Sequence, residues 1–131
     1  MRSRQRLLIA DDDKALHNAL NDALSPHGFK IIHAYDGRET LELAKKQLPD
    51  LIILDILMPF VDGRDVCMEL KSDPSTKHIK VLMMTGKADN LDRMLGLEIG
   101  ADDYIAKPFS CARLSSKIRT VSYTHLTLPT N

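Results

Sequence analysis

Five residues that could do chemistry together stand at or just beyond the ends of four short apolar runs. They are Asp11, Asp12, Asp55, Thr85 and Lys107. If the apolar runs are parallel β-strands, their carboxyl ends meet at one edge of a sheet, where ligands bind in open α/β sheets. The sequence therefore predicts a cluster of three carboxylates, one hydroxyl and one ammonium group at that edge.

Three carboxylates in one pocket repel one another unless a cation lies between them. Oxygen ligands of this kind suit Mg²⁺, which keeps several of its waters and often contacts a phosphate group. A carboxylate beside such a metal can attack phosphorus and form an aspartyl phosphate. Lys107 would neutralise charge on the transferred group, Thr85 could donate a hydrogen bond to it, and the small Gly86 leaves room for its entry.

Each of these residues has a simpler explanation when it is taken alone. An aspartate at a strand end more often forms a turn or caps a helix than attacks a substrate, and capping is the favoured explanation for Asp11-Asp12-Asp13 in isolation. Lys107 alone would be a solvated surface lysine, and Thr85 alone a residue chosen for its β propensity. These explanations would have to hold together at four strand ends, which favours a shared functional site.

Short apolar runs alternate with longer amphipathic stretches, which is typical of a parallel sheet with crossover helices. The predicted strands cover residues 7–10, 29–34, 51–54, 80–85 and 104–106. Helices are predicted over about 15–24, 37–48, 64–71 and 90–99, and from a candidate cap at Ser110 to about residue 120. The predicted fold class is therefore α/β, a doubly wound sandwich with right-handed crossovers.

The composition is typical of a single-domain globular protein. In its 131 residues, 18 basic side chains balance 18 acidic ones, so no overall charge attracts nucleic acid or an anionic membrane. Cys67 and Cys111 form no metal-binding or redox motif and are predicted to be reduced thiols of a cytoplasmic protein. The five histidines are scattered without metal-ligand spacing, and no apolar run is long enough to span a bilayer.

The domain is predicted to cover residues 5–120. Residues 121–131, with the sequence VSYTHLTLPTN, are rich in threonine and lack helical periodicity. We predict a disordered tail there, or sequence foreign to the natural gene, with an ordinary flexible linker as the alternative.

Four stretches together resemble the receiver domain of two-component response regulators. They are LLIADDD, DLIILDILMPFVDG, VLMMTG and GADDYIAKPF, and the resemblance runs from about residue 7 to residue 119. It implies a CheY-like, flavodoxin-like (βα)5 sandwich with a five-stranded parallel sheet in the order 2-1-3-4-5. It also implies a phosphorylation-dependent switch that catalyses only its own phosphorylation and dephosphorylation.

The resemblance implies a role for each member of the acidic set. Asp55 is the implied phosphoacceptor and one of the ligands of Mg²⁺. Asp12 is implied to bind the metal directly and Asp11 mainly through water, while the backbone carbonyl of Leu57 is the remaining protein ligand.

The resemblance also implies how phosphorylation is sensed. Thr85 and Lys107 are the implied phosphate contacts, and the Lys107–Pro108 bond is expected to be cis. Tyr104 is the implied aromatic switch residue, whose ring turns inward when Thr85 moves toward the phosphoryl group. The implied donor is a phosphohistidine on a sensor histidine kinase or a phosphotransfer protein.

Leu57, two residues after Asp55, separates two classes of function. A Mg²⁺-dependent phosphohydrolase with an aspartate nucleophile is the main alternative, but such enzymes commonly have a second acidic residue at this position as general acid and base. Because leucine cannot orient an attacking water, we also predict slow hydrolysis of the phosphoryl group. A degenerate receiver that only mediates interactions is a third alternative, although none of the acidic set is missing.

The C-terminal third is most similar to receivers attached to winged-helix DNA-binding domains. Such receivers typically form homodimers through charged pairs on their fourth helix, fifth strand and fifth helix. Asp102, Asp103 and Arg119 are placed for that role. Arg113 stands where an acidic partner is expected, however, and solvated charges are the alternative explanation for all of these residues. Direct binding of this chain to nucleic acid or to a membrane is not expected.

Overall fold

The computed structural model describes residues 5–86 and 99–123. Five strands form one sheet: β1 (Arg6–Ala10), β2 (Lys30–Ala34), β3 (Leu51–Asp55), β4 (Lys80–Thr85) and β5 (Asp103–Ala106). The helices of the described part are α1 (Lys14–Leu24), α2 (Gly37–Gln47), α3 (Gly63–Ser72) and α4 (Cys111–Tyr123), with a 3₁₀ turn at Ser25–His27 after α1.

The strand order is β2-β1-β3-β4-β5, and every neighbouring pair of strands is parallel. This order confirms the predicted doubly wound α/β fold. All five residues of the central strand β3 are buried, because helices cover both faces of the sheet, and its first four residues are therefore continuously apolar. The order of the strands reverses between β1 and β3, which is where an open sheet forms a crevice for ligands.

The two faces of the sheet bury two separate sets of apolar side chains. Successive residues of a strand point to opposite faces, so Leu8 packs beneath α2 and α3 while Leu7 and Ile9 pack beneath α1 and α4. Burying a leucine or isoleucine completely contributes about 1.5 to 3 kcal/mol. Both faces of the sheet are therefore covered, and its carboxyl edge carries the polar residues.

Each helix of the described part begins at a polar side chain that caps it. The carboxylate of Asp13 accepts hydrogen bonds from the backbone N–H groups of residues 15 and 16, and Asp36 and Asp62 cap α2 and α3 in the same way. The hydroxyl of Ser110 accepts from the N–H of Arg113, which confirms the predicted cap of the last helix. The capping explanation thus applies to Asp13, the third aspartate of its run.

The last helix extends three residues beyond the predicted domain boundary. It ends at Tyr123, and Val121 is buried because it continues the inward-facing row formed by Leu114 and Ile118. The rest of the predicted tail, residues 124–131, lies outside the described residues. So does nearly all of the helix predicted over 90–99, and α4 is therefore the fifth helix of the sequence prediction.

Two smaller predictions concern the cysteines and the membrane. Cys67 and Cys111 are both free thiols, and burial raises the pKa of Cys67 to about 11. Within the described ranges, no helix has the length and apolar character needed to cross a bilayer.

Candidate functional site

Asp55 is the last residue of the central strand and is held there by close backbone packing. The N–H of Ile56 donates to the carbonyl of Met84 at 3.1 Å, and that of Gly63 donates to the carbonyl of Ile56 at 2.8 Å. A Cβ atom at Gly63 would lie 2.0 Å from the carbonyl oxygen of Asp55, so only glycine allows α3 to start against the end of β3. The position of the Asp55 carboxylate is thus fixed by the sheet on one side and by α3 on the other.

Asp11, Asp12 and Asp55 converge as the sequence predicted. One carboxylate oxygen from each lies within 4.8 Å of the others, with Asp11 and Asp55 buried and Asp12 exposed. Mg²⁺ binds such oxygen donors at about 2.0–2.1 Å and keeps several waters. A set of hard oxygen ligands with one solvent-facing member suits that ion in both ligand type and access.

Lys107 lies between the two buried carboxylates. Its Nζ is 2.8 Å from Asp11 Oδ2 and 3.5 Å from Asp55 Oδ2. Burial by itself would lower the pKa of Lys107, but the hydrogen bond that Lys107 donates to Asp11 and the charges of Asp55 and Asp11 raise it overall. The backbone N–H of Lys107 donates to the carbonyl of Thr85 at 2.8 Å, which ties the two predicted phosphate contacts together. The Lys107–Pro108 bond is cis, as expected.

Asp55 carries the main electrostatic cost of this arrangement. Burial, followed by the charge of Asp11, raises the pKa of Asp55 to about 6, while Lys107 and the N–H of Leu57 act in the opposite direction. The carboxylate is therefore less stable here than in water, and a cation among the three carboxylates would relieve that cost.

Thr85 ends the strand next to β3, and its hydroxyl is engaged with the backbone. Thr85 is buried, and its hydroxyl donates to the carbonyl of Gly86 at 3.0 Å. A Cβ atom at Gly86 would meet no described atom within 4 Å, so none of the described residues fills the space beside it. A phosphate contact from Thr85 would require its side chain to leave the Gly86 carbonyl.

Leu57 and Tyr104 border the site in different ways. The side chain of Leu57 is 72% exposed, and its backbone N–H donates to the Asp55 carboxylate. Tyr104 lies on β5 and packs partly against the core beneath α2 and α3, with Lys117 Nζ 5.8 Å from the centre of its ring. The ring thus packs on the α2 and α3 side of the sheet, within reach of the Lys117 ammonium of α4.

Two of the three charged residues predicted for dimerisation, Asp102 and Asp103, pair with lysines of the same chain. Asp102 Oδ2 lies 2.8 Å from Lys71 Nζ and also accepts from the N–H of Val81 at 2.8 Å. Asp103 lies 3.3 Å from Lys117. Both aspartates are therefore engaged in tying β5 to its neighbouring elements, and the solvated-charge explanation does not describe them.

Sequence reasoning missed one contact of the site. His17 and His33 are among the histidines that look scattered, yet their Nδ1 atoms lie 2.6 Å apart and His17 Nε2 lies 2.7 Å from the carbonyl oxygen of Asp11. The available signal is the helical spacing of His17 with Leu20 and Leu24, which places it on the buried face of α1.

Comparison with known proteins gives consistent matches. The family model described as "Response regulator receiver domain" matches residues 7–119. A protein named "Probable transcriptional regulator ycf27" from Guillardia theta is 40% identical over 121 residues, which are 92% of this chain and 46% of that protein. The "Alkaline phosphatase synthesis transcriptional regulatory protein PhoP" of Bacillus subtilis (strain 168) is 37% identical over 117 residues, or 89% of this chain and 48% of that protein.

The chain thus spans about half the length of the curated relatives it matches. Among solved structures, the response regulator receiver domain protein (CheY-like) from Methanospirillum hungatei JF-1 superposes with a TM-score of 0.88 at 27% identity. That comparison covers 97% of this chain and 100% of the other.

Proposed function

Because this chain belongs to the family of response regulator receiver domains, we propose that Asp55 is its phosphoacceptor and that Asp11, Asp12, Asp55 and the backbone carbonyl of Leu57 hold Mg²⁺. A receiver domain is a signalling switch of two-component systems rather than an enzyme with a separate substrate. The observation that carries the proposal is the convergence of three carboxylates within 4.8 Å, two of them in contact with Lys107.

Phosphoryl transfer at this site needs little more than the groups already in place. A carboxylate oxygen of Asp55 forms a bond to phosphorus as the bond from phosphorus to the donor breaks, and the donor atom keeps the bonding electron pair. Bound Mg²⁺ would supply positive charge to the oxygens of the transferred group. Lys107, which follows β5 and lies 3.5 Å from Asp55 Oδ2, supplies a second positive charge.

The switch follows from the side chains that must move once the group is attached. The hydroxyl of Thr85 exchanges the carbonyl of Gly86 for an oxygen of the phosphoryl group. Tyr104 then turns into the space that Thr85 vacates. The altered surface of β5 and α4 is the signal that an output reads.

The partners and output follow from the family and its relatives. We infer that the donor is a phosphohistidine on a sensor histidine kinase or a phosphotransfer protein. Since the matched relatives are named as transcriptional regulators of about twice this length, we infer that the output is control of transcription by a further domain. A cytoplasmic location and a homodimer through β5, α4 and residues 90–99 stay predictions.

A phosphohydrolase is not supported by the same geometry. Its additional acidic residue would stand at Leu57, whose side chain is apolar and 72% exposed. Steady turnover of a phosphate ester in Mg²⁺, with more than one phosphate released per chain, would favour the hydrolase over the switch.

The proposal is tested by phosphorylation with a small donor. Incubation with acetyl phosphate and Mg²⁺ is expected to add one phosphoryl group, which mass spectrometry of proteolytic fragments locates at Asp55. Asp55→Asn should abolish labelling, and Asp22→Asn, a matched change on the exposed face of α1, should leave it unchanged. Labelling that persists in Asp55→Asn, or that needs no divalent cation, would contradict the proposal.

A further inference from the structure

His17 connects the interior of the protein to the acidic site. It is 1% exposed, on the inner face of α1, and both of its ring nitrogens have a partner. Nε2 lies 2.7 Å from the carbonyl oxygen of Asp11, and Nδ1 lies 2.6 Å from Nδ1 of His33 on β2. The ring of Tyr35 packs against His17, with ring centres 4.2 Å apart.

The partners of His17 determine where its proton lies. A carbonyl oxygen only accepts hydrogen bonds, so His17 must carry a proton on Nε2 and donate it to Asp11. In a neutral His17 ring, Nδ1 is then an acceptor, and His33 must donate from its own Nδ1. Burial and the neighbouring His17 lower the pKa of His33, which favours the uncharged form of His33 that this arrangement requires. Each ring therefore fixes the tautomer of the other.

The hydrogen bond from His17 to the Asp11 carbonyl is one of four that hold Asp11 in place. The backbone N–H of Asp11 donates to the carbonyl of Ala34 at 3.1 Å, and Oδ1 accepts from the N–H of Asp13 at 2.9 Å. Oδ2 accepts from Lys107 at 2.8 Å. His17 holds the remaining polar atom, the carbonyl oxygen, so every hydrogen-bonding group of this buried residue has a partner.

We propose that the His17–His33 pair is a positioning unit that holds Asp11 and its turn in the geometry that binds Mg²⁺. The inference rests on the proposed function, because it assigns the pair a role at that metal site. His17 does not touch the metal or the reacting atoms and acts only through Asp11. Groups that orient metal ligands from behind commonly change affinity by about 10- to 100-fold.

A purely structural histidine would satisfy a buried carbonyl and affect only stability. A positioning histidine also sets the affinity of the site in protein that is fully folded. The two roles are therefore separated by measuring Mg²⁺ affinity and unfolding on the same variants.

The first experiment compares His17→Leu, which cannot donate, with His17→Gln, whose amide can reach the Asp11 carbonyl. Mg²⁺ is titrated while NMR follows the backbone amides of residues 11–13 and 55–57. His17→Leu is expected to weaken binding roughly tenfold, the low end of that range because the contact is to the main chain. His17→Gln should retain affinity within about twofold, and His78→Gln, at an exposed histidine before β4, should match the unsubstituted protein.

A second variant keeps the test valid if His17→Leu does not fold. His33→Leu removes only the partner of Nδ1, at a half-exposed position on the edge strand, and is expected to weaken Mg²⁺ binding by a smaller factor. Equal affinity in the unsubstituted protein and the folded leucine variants would overturn the inference. Equal loss in His17→Gln and His17→Leu would overturn it as well.

The second experiment needs neither a variant nor a metal. Long-range ¹H–¹⁵N correlation spectra of the imidazole rings are expected to show His17 protonated on Nε2 and His33 protonated on Nδ1. A His17 ring without a proton on Nε2 would overturn the inference while leaving the proposed function intact. Absence of Mg²⁺ binding by the unsubstituted protein would instead overturn the proposed function, and the positioning role with it.

Discussion

Three consecutive aspartates of this chain have three different surroundings. Asp11 is buried and contacts Lys107, Asp12 is exposed beside the other two carboxylates of the site, and Asp13 caps α1. Residue type does not distinguish them, because all three are aspartates at or after the end of the same strand. Their side chains differ in the direction in which they point, which is set by the backbone between the end of β1 and the first turn of α1.

Asp55→Asn is expected to stabilise the metal-free protein at neutral pH. Burial raises the pKa of Asp55 from 3.8 to about 6 in the folded state. Below the unfolded pKa of 3.8, the carboxyl is protonated in both the folded and the unfolded state, so it costs no stability. As pH rises from there through the folded pKa of about 6, ionisation destabilises the folded state, and the cost is complete above that pH. In EDTA at neutral pH, the variant should unfold with a free energy about 1 to 2 kcal/mol higher, less than the full shift implies because water partly screens the site.

Urea denaturation at several pH values measures this effect. The difference between the two proteins should shrink below about pH 4, where Asp55 is protonated in both folded and unfolded chains. Added Mg²⁺ should stabilise the unsubstituted protein more than the variant. A variant that is less stable at neutral pH without metal would contradict the prediction.

Leu57→Asn is expected to shorten the lifetime of the phosphoryl group severalfold. The side chain at this position is 72% exposed beside Asp55, and an amide there can hold a water for attack on phosphorus, which leucine cannot do. Loss of label after removal of the donor gives the lifetime. Leu57→Met is the matched apolar control and should hydrolyse as slowly as the unsubstituted protein. An unchanged or longer lifetime in Leu57→Asn would contradict the predicted role of Leu57.

At the scale of elements, the ends of the strands were predictable and the approach of α3 was not. Continuous apolar runs gave β3 and β4 to within one residue, because burial on both faces requires them. Gly63 lies just before the helix predicted over 64–71, yet it starts α3. Its role depends on contact with the Asp55 carbonyl, and such a contact between separate segments leaves no periodic pattern in sequence.

Gly63→Ala is expected to destabilise the fold by about 2 to 4 kcal/mol. A Cβ atom there would lie 2.0 Å from the Asp55 carbonyl, so β3 and α3 would have to separate. Gly86→Ala, where a Cβ atom meets no described atom within 4 Å, is the control and should change stability by less than about 0.5 kcal/mol. Thermal or urea denaturation compares the two. Equal stability of both variants would show that the end of β3 can adjust.

At the scale of the whole molecule, the sequence predicted the sheet and most of its site. Alternating apolar and amphipathic stretches required a doubly wound sheet, and that topology alone brings the ends of β1, β3, β4 and β5 to one edge. The pairing of His17 with His33 was not predictable, because it depends on how α1 lies against β2. The extension of α4 to Tyr123 was not predicted, because Val121 alone continues the buried row of Leu114 and Ile118.

The unphosphorylated chain is expected to be a monomer at micromolar concentration. Asp102 and Asp103 both pair with lysines of their own chain, so charged pairs between two chains would have to replace contacts already present. Sedimentation velocity measures the mass directly. A stable dimer without phosphorylation would contradict this expectation. It would indicate that the predicted homodimer surface already forms in the unphosphorylated protein.

The placement of Lys107 also sets the charge stoichiometry of the site. Three ionised carboxylates and one ammonium leave two negative charges in the space around Lys107, where Asp11 and Asp55 are buried and Asp12 is exposed. One divalent cation brings that space to neutrality, whereas one monovalent cation leaves an uncompensated charge. The site should therefore discriminate by ionic valence as well as by size, and its affinity for Mg²⁺ should fall only modestly with ionic strength, since buried charges are poorly screened.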